Sequence, residues 1–257
     1  MTELLPRLRG IARAGLLSSA RDETDTVGGR SALVLAPHPD DETLGCGATI
    51  LRKVAAGTPV TVAVVTDGRH SHRSEHLSPD SLAALRRAEM SSAAGRLGLD
   101  PDAVRWGGFE DGTLSSQEKD LFAYVAELLA EVRPDDVYTT SADEPHPDHA
   151  ALGRAVRAAA ASSGSRVLEY PVWLWGSWPL RRGDRLGSTL NAAGSIARRR
   201  AVKVRAGDHL KSKLHALDAH ESQLRRPAGV PDGEPWASLP PGVLAAAGAD
   251  AELFLLG

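Results

Sequence analysis

Short apolar runs alternate with helix-like segments through the first two thirds of this 257-residue chain, and this alternation limits the fold more than any other feature. Residues 60–66 read Val-Thr-Val-Ala-Val-Val-Thr, which predicts a buried strand because β-branched residues dominate the run. Strands that alternate with helices form parallel βαβ units, which bury a sheet between two layers of helices. The sequence therefore predicts the α/β class, as a three-layer αβα sandwich with a mostly parallel, Rossmann-like sheet.

Local patterns predict the individual elements. Strands are predicted at 31–36, 60–66, 103–106, 136–140, 166–173 and 251–256, and helices at 43–56, 80–97, 115–133, 148–161 and 209–224. The helix at 115–133 begins with Ser-x-x-Glu, a capping-box pattern, and ends before Pro134. Residues 176–200 are rich in Gly, Ser and Arg and are predicted to form a long loop.

The length suits a single domain that covers residues 1–257. Residues 1–28 are predicted to form an N-terminal helical extension. Arginines interrupt the leucines there, which argues against the apolar core of a signal peptide. Residues 174–242 are predicted to be loop-rich and to lie on the substrate side of the domain. No apolar stretch approaches the ~18 residues of a membrane span, so we expect no stable membrane insertion.

Composition excludes several classes of partner. The net charge of −3 gives no electrostatic case for binding nucleic acid. One cysteine, Cys46, excludes an internal disulfide framework and a multi-cysteine zinc site. Because nothing requires an oxidising compartment, we expect a cytoplasmic bacterial protein. No pattern in the sequence specifies an oligomeric state.

Two histidine motifs stand directly after predicted strands. Residues 36–42 read Ala-Pro-His-Pro-Asp-Asp-Glu, and residues 146–149 read His-Pro-Asp-His. Ligands of open α/β sheets bind beyond the carboxyl ends of the strands, so we expect the two motifs to converge. Histidine with carboxylate suits a divalent metal of the zinc or iron type, and three protein ligands with one open position suit a hydrolytic site.

The residue types leave the roles within these motifs open. Of the neighbouring carboxylates Asp40 and Asp41, one can bind metal while the other faces a water molecule. Of His146 and His149, one can complete the metal site while the other stands over the substrate. Asp148 suits a hydrogen bond to a histidine ring nitrogen, which would fix its tautomer. The alternative interpretation is that the acidic run only caps a helix N-terminus.

The two motifs resemble those of the LmbE/PIG-L family of metal-dependent N-deacetylases, which includes the N-acetylglucosaminyl-phosphatidylinositol deacetylase. The resemblance extends along much of the chain. Residues 86–89 are similar to the family's Arg-x-x-Glu helix, and residues 111–114 to its Asp-Gly-x-Leu turn. Residues 213–223 resemble its late Lys-x-x-Ala-Leu-x-x-His-x-Ser-Gln segment.

The resemblance implies a division of roles at the metal site. His38, Asp41 and His149 would ligate Zn²⁺, with Fe²⁺ as the alternative metal. Asp40 would be the general base that takes a proton from the attacking water.

The resemblance also implies roles around the substrate. His146, oriented by Asp148, would stabilise the oxyanion or protonate the leaving amine. Arg86 and Asp111 would hold sugar hydroxyls. Residues 66–68, Thr-Asp-Gly, match the start of a family loop whose commoner pattern is Thr-x-Gly-Glu. The chain then departs from it, because Arg-His-Ser-His follows at 69–72, which bears on substrate recognition by this loop.

The implied activity is a zinc-dependent hydrolase acting on a linear amide C–N bond. It would remove the N-acetyl group from a small-molecule N-acetylglucosamine-type sugar conjugate, releasing acetate and a free amine. One alternative is an amidase that cleaves a larger acyl or cysteinyl-sugar conjugate at the same metal centre. Another is a non-catalytic carbohydrate-binding protein on this fold.

A cluster of tryptophans follows the strand predicted at 166–173. Trp173, Trp175 and Trp178 suit either a core position or an aromatic wall against a sugar or an apolar aglycone. An arginine-rich stretch follows them as far as Arg200. Because a metal centre positions only the acetamide, we expect residues 173–200 to border the pocket and select the group attached to the sugar.

Overall fold

A mostly parallel sheet forms the centre of the computed structural model, which describes residues 4–178, 194 and 196–257. The strands are β1 (Arg21–Asp22), β2 (Ala32–Ala36), β3 (Val60–Thr66), β4 (Val104–Phe109), β5 (Asp136–Thr140), β6 (Arg166–Tyr170), β7 (Ala201–Arg205) and β8 (Ala251–Leu256). Their order is β1-β7-β8-β6-β5-β2-β3-β4. Neighbouring strands pair in parallel except β8, which is antiparallel to β6 and β7.

Helices cover both faces of the sheet. They are α1 (Leu4–Ser19), α2 (Asp41–Ala55), α3 (Pro79–Arg96), α4 (Glu118–Val132), α5 (Pro147–Ala160), α6 (Leu174–Ser177), α7 (His209–Leu217), α8 (Glu221–Leu224) and α9 (Pro241–Ala247). Because side chains alternate along a strand, Leu33 and Leu35 pack with α4 and α5, whereas Val34 packs with α2, α3, α7 and α9. The predicted three-layer αβα fold is confirmed.

Some elements differ from the sequence prediction. Helix α4 begins at Glu118 with Gln117 as its N-cap, so the expected capping box does not form. The helix predicted at 209–224 is two helices, α7 and α8, separated at residues 218–220. Residues 174–242, predicted to be loop-rich, also contain α6 and β7, and α9 begins at their end. The sequence does not predict β7 because only Val202 and Val204 are buried in it, while Lys203 and Arg205 alternate with them and weaken the apolar signal.

Within the predicted N-terminal helical extension, residues 1–28, Leu4–Ser19 form α1, whereas Arg21–Asp22 form β1 and pair with β7 in the sheet. Leu16 and Ala20 are buried against Leu253, Leu255 and Trp178. Within the described residues, no helix has both the length and the apolar character needed to cross a bilayer.

The strand order places both histidine motifs at one crevice. Strand β2 pairs in parallel with β3 on one side and with β5 on the other. The chain adds β3 and β4 on one side of β2 and then β5 and β6 on the opposite side, so the switch point lies between β2 and β5. The turns after β2 and β5 therefore leave the same edge of the sheet side by side. Close packing fixes the first of these turns: a Cβ on Gly45 would lie 2.2 Å from Cδ2 of Tyr170, whose hydroxyl donates to the Leu35 carbonyl at 2.8 Å.

Candidate metal centre

The turn between β2 and α2 is built on a strained residue. Asp40 has φ 127° and ψ −28°, outside the conformations that residues with a Cβ favour. Its carbonyl accepts the N–H groups of Thr43 and Leu44, and its own N–H donates to Oε2 of Glu42 at 3.1 Å. Such a conformation costs about 1–3 kcal/mol and persists when surrounding contacts hold it. It lets the carboxylates of Asp40 and Asp41 diverge towards different partners.

Three buried atoms form a nearly equilateral arrangement, the His–Asp–His triangle. Nδ1 of His38, Oδ2 of Asp41 and Nε2 of His149 each lie 3.2 Å from the other two. Ligand atoms at the corners of a tetrahedron around Zn²⁺, with bonds of about 2.0–2.1 Å, lie roughly 3.3 Å apart. The three atoms and their chemistry therefore fit one divalent metal ion, with the fourth corner left for water or substrate.

Two carboxylates stand behind His38. Its Nε2 lies 3.1 Å from Oδ1 of Asp111 and 3.4 Å from Oδ2 of Asp148. Asp148 also accepts the N–H groups of Gly112 and Leu114. Burial alone would lower the pKa of His38, but these carboxylates raise it well above the usual range. Carboxylates that contact the second nitrogen of a histidine fix its tautomer and orient its ring.

Asp148 differs from the sequence-based expectation that it orients His146. Among the described contacts, no hydrogen bond joins these two side chains, and Nδ1 of His146 is buried without a hydrogen-bond partner. The reason is the turn at residues 111–114, whose N–H groups turn the Asp148 carboxylate towards His38.

Asp40 faces the cavity beside the triangle. Burial of its carboxyl, reinforced by the neighbouring charges of Asp41 and Glu42, raises its pKa to about 7 against the lowering effect of Arg86. A carboxyl with a pKa near neutrality suits proton transfer at physiological pH.

Arg86 is bound within the protein. It is 2% exposed, and its guanidinium donates to the carbonyls of Pro39 at 2.5 Å and Gly68 at 3.2 Å. It also lies 3.5 Å from Oδ1 of Asp40. A hydrogen bond from Arg86 to a sugar hydroxyl would therefore compete with its hydrogen bonds to the loops that contain Pro39 and Gly68.

His146 stands between the triangle and Trp173. Its ring centroid lies 4.9 Å from that of His38, 5.0 Å from that of His149 and 6.3 Å from the roughly parallel ring of Trp173. Burial and the nearby histidines lower its pKa to about 4. A neutral imidazole in this position can donate a hydrogen bond to a developing oxyanion.

A cavity of about 270 Å³ opens above these groups. One wall includes His146, Val172 and Trp173, and another comes from the loops at 70–72 and 237–239. Its polar lining residues include six of the eight residues expected from the sequence: His38, Asp40, Asp41, Arg86, Asp111 and His146. The other two, Asp148 and His149, are fully buried and do not line it.

The tryptophan cluster divides between two environments. Trp173 lines the cavity. Trp178 is buried among Leu16, Leu174 and Leu253, and Trp175 packs beside that cluster. The expectation that residues 173–200 border the pocket is thus met at Trp173 and not at Trp175 or Trp178, while residues 179–193 and 195 lie outside the described part of the chain.

The loop that departs from the family pattern takes part in the cavity wall. His72 stacks on Trp236 with ring centroids 4.1 Å apart, and its Nε2 lies 2.6 Å from the Ala237 carbonyl oxygen. Both His70 and His72 line the cavity. Sequence patterns did not identify Trp236, because its partner is 164 positions away and neither residue belongs to a periodic element.

The strain at Asp40 predicts an unusual order of stability. We expect Asp40→Gly to exceed Asp40→Ala in free energy of unfolding by about 1–3 kcal/mol, because only glycine adopts φ 127° without strain. Both variants lack the carboxylate, so their difference reports on the backbone. Urea denaturation measures it. At exposed Ser92 in α3, glycine should instead be less stable than alanine by about 1 kcal/mol. Equal stability of the two Asp40 variants would show that the strain is absent.

The stretch of chain that carries most of the site residues matches a known protein family. The PIG-L family, described as GlcNAc-PI de-N-acetylase, matches residues 33–160, about half of the chain. Both histidine motifs, Arg86 and Asp111 fall within that range.

Two curated relatives are deacetylases by name. The probable N-acetyl-alpha-D-glucosaminyl L-malate deacetylase 2 of Bacillus cereus is 35% identical over 132 residues, covering 49% of this chain and 59% of that protein. The 1D-myo-inositol 2-acetamido-2-deoxy-alpha-D-glucopyranoside deacetylase of Kineococcus radiotolerans is 31% identical over 173 residues, covering 53% and 47%. The matches thus span about half the length of these relatives.

A solved structure shares the fold more completely. The N,N'-diacetylchitobiose deacetylase from Pyrococcus horikoshii aligns with a TM-score of 0.57 and 24% identity, over 85% of this chain and 78% of that one. At 24% identity, this similarity shows a shared fold.

Proposed function

Because the chain belongs to the PIG-L family, we propose that it is a metal-dependent hydrolase that removes the N-acetyl group from an N-acetylglucosamine-type sugar conjugate. The products are acetate and a free amine. The observation that carries the proposal is the His–Asp–His triangle, of which His38 and Asp41 line the cavity while His149 is buried next to them, with Asp40 and His146 beside it.

His38, Asp41 and His149 would hold the metal, which we propose to be Zn²⁺, with Fe²⁺ as the alternative. When bound, such a metal polarises a carbonyl and lowers the pKa of water. Asp40 then accepts the proton of the attacking water. His146, whose lowered pKa keeps the imidazole neutral, donates a hydrogen bond to the oxyanion, and the proton taken up by Asp40 passes to the leaving nitrogen.

The cavity favours one amino sugar with its attached group at the mouth. Its volume of about 270 Å³ is just below the roughly 300–1,000 Å³ of typical small-molecule pockets. Asp111 lines this cavity and also accepts the His70 N–H at 2.9 Å, so its remaining acceptor capacity is available to a sugar hydroxyl. We retain Asp111 and Arg86 as proposed substrate contacts, and Asp148 as a residue that positions His38.

The experiment that tests the proposal combines metal analysis with product detection. The purified protein is assayed for metal content and for acetate release from free N-acetylglucosamine, a nucleotide sugar, a lipid-linked sugar and a glycosylated natural product. Deacetylation of at least one compound, lost on chelation and restored by metal, is expected. Release of a larger acyl or cysteinyl group instead would favour the amidase. Sugar binding without turnover in the metal-loaded protein would favour the non-catalytic alternative.

The cytoplasmic location stays a prediction.

Trp173 is the aromatic residue that we expect to select the conjugate. Trp173→Ala should lower kcat/KM for a full conjugate by about tenfold, since an aromatic contact contributes roughly 0.5–1.5 kcal/mol beyond its buried area. The loss on a minimal N-acetyl sugar should be smaller. Steady-state kinetics on both substrates measure the difference, with Trp175→Ala, outside the cavity, as the matched control. Equal losses on both substrates would assign Trp173 to packing.

A further inference from the structure

Two fully buried ionisable residues lie next to the turn that carries Asp40, and neither is a metal ligand, a proton acceptor or a hydrogen-bond donor to substrate in the chemistry described above. Glu42 lies on the first turn of α2, and His220 is the N-cap residue of α8. Both are 0% exposed. Burying such groups is costly unless they have partners, so their contacts indicate what they do.

Glu42 holds the strained backbone of Asp40. Its Oε2 accepts the Asp40 N–H at 3.1 Å, and its Oε1 accepts the hydroxyl of Thr43 at 2.5 Å. Among the described residues, Glu42 supplies the hydrogen bond on the amide side of Asp40, while the first turn of α2 supplies those on the carbonyl side. The carboxylate of Glu42 therefore binds the amide of Asp40 in the orientation that accompanies φ 127°.

His220 reaches Glu42 from a distant part of the chain. Its Nε2 lies 3.4 Å from Oε1 of Glu42, and neither ring nitrogen has a hydrogen-bond partner of normal geometry within the described part of the chain. The break between α7 and α8 points the ring inward, and Glu89 on α3 fixes α8 by accepting the N–H and hydroxyl of Ser222, both at 2.7 Å. His220 is thus held in place by α3.

The same helix holds the other side of the turn. Arg86 lies one turn before Glu89 on α3 and binds the carbonyl of Pro39, next to Asp40. Helix α3 therefore fixes both the turn that carries Asp40 and the helix that carries His220. These contacts give structural roles to Arg86 and Glu89 of the Arg-x-x-Glu motif and to His220 and Ser222 of the His-x-Ser-Gln motif.

We propose that Glu42 and His220 are a positioning pair that holds Asp40 in its strained conformation beside the His–Asp–His triangle. This inference rests on the proposed function, in which Asp40 is the general base. Glu42 anchors the Asp40 amide, and His220 fixes the Glu42 carboxylate. Neither residue touches the substrate, so both act on the reaction through Asp40.

A double-mutant cycle tests this dependence. His220→Leu should lower kcat by about 10- to 100-fold, as is typical for residues that orient a site, with KM and metal content retained. In an Asp40→Asn background, His220→Leu should cost less than about twofold, because the group it positions is already lost. An equal loss in both backgrounds would overturn the proposal. A loss of metal in proportion to activity would also overturn it and assign the pair to the metal.

Two further variants separate positioning from packing. His220→Gln keeps an N–H donor and should recover most of the kcat lost in His220→Leu. His215→Leu changes an exposed histidine on α7 and should leave kcat unchanged. If His220→Leu does not fold, Glu42→Gln replaces it in the same cycle, with the same outcomes.

A structural readout keeps the proposal independent of the substrate. A crystal structure of metal-loaded His220→Leu should show φ of Asp40 moved away from 127° or the Glu42–Asp40 hydrogen bond broken. An unchanged turn would overturn the positioning pair. If the parental enzyme deacetylates no N-acetyl sugar, the proposed function fails, and this measurement still decides the role of the pair.

Discussion

Asp40→Asn is expected to lower kcat for deacetylation by about 10²- to 10⁴-fold, the usual contribution of a general base. Asparagine keeps the shape of the side chain but does not accept a proton. Because Asp41, and not Asp40, contacts both histidines of the triangle, the variant should retain its metal. Steady-state kinetics together with metal analysis of the same preparation measure both quantities.

Asp102→Asn is the matched control for this prediction. Asp102 is exposed and lies outside the cavity, so its variant should show parental kinetics. Near-parental turnover by Asp40→Asn would show that another group accepts the proton. Loss of metal along with activity would instead make Asp40 a ligand.

His149→Ala is expected to abolish metal binding and hydrolysis together. Removing one corner of the triangle leaves His38 and Asp41 as an incomplete site. We expect kcat/KM to fall by at least about 10³-fold, equivalent to roughly 4 kcal/mol of transition-state stabilisation. Metal analysis by mass spectrometry and acetate release measure the two losses.

Chelation supplies the comparison for the His149 variant. Parental protein treated with a chelator should lose the same activity and regain it when metal is added back, whereas His149→Ala should not. His215→Ala, an exposed histidine, should behave as the parental protein. Full activity in metal-free parental protein, or in His149→Ala, would contradict the metal centre.

The sequence by itself determined the fold class and the location of the site. Residues 60–66 and 32–36 could be predicted as strands because short apolar runs between turn residues are typical of buried strands. The switch point follows from topology, since the turns after two neighbouring parallel strands leave the same edge. The residues of both motifs could therefore be predicted to meet, although His38 and His149 are 111 positions apart.

Only the tertiary structure decided which partner each side chain of the site contacts. The pattern of adjacent carboxylates did not separate Asp40 from Asp41, because their directions depend on a strained φ. A local hydrogen bond to Glu42 and a long-range one from Arg86 to the neighbouring Pro39 carbonyl hold this turn. Asp148 turns to His38 because N–H groups of a remote turn bind its carboxylate. The same is true of His220, which reaches Glu42 across 178 positions. The direction of side chains in such a site depends on long-range contacts, whereas strands and helices can be predicted from the local periodicity of apolar residues.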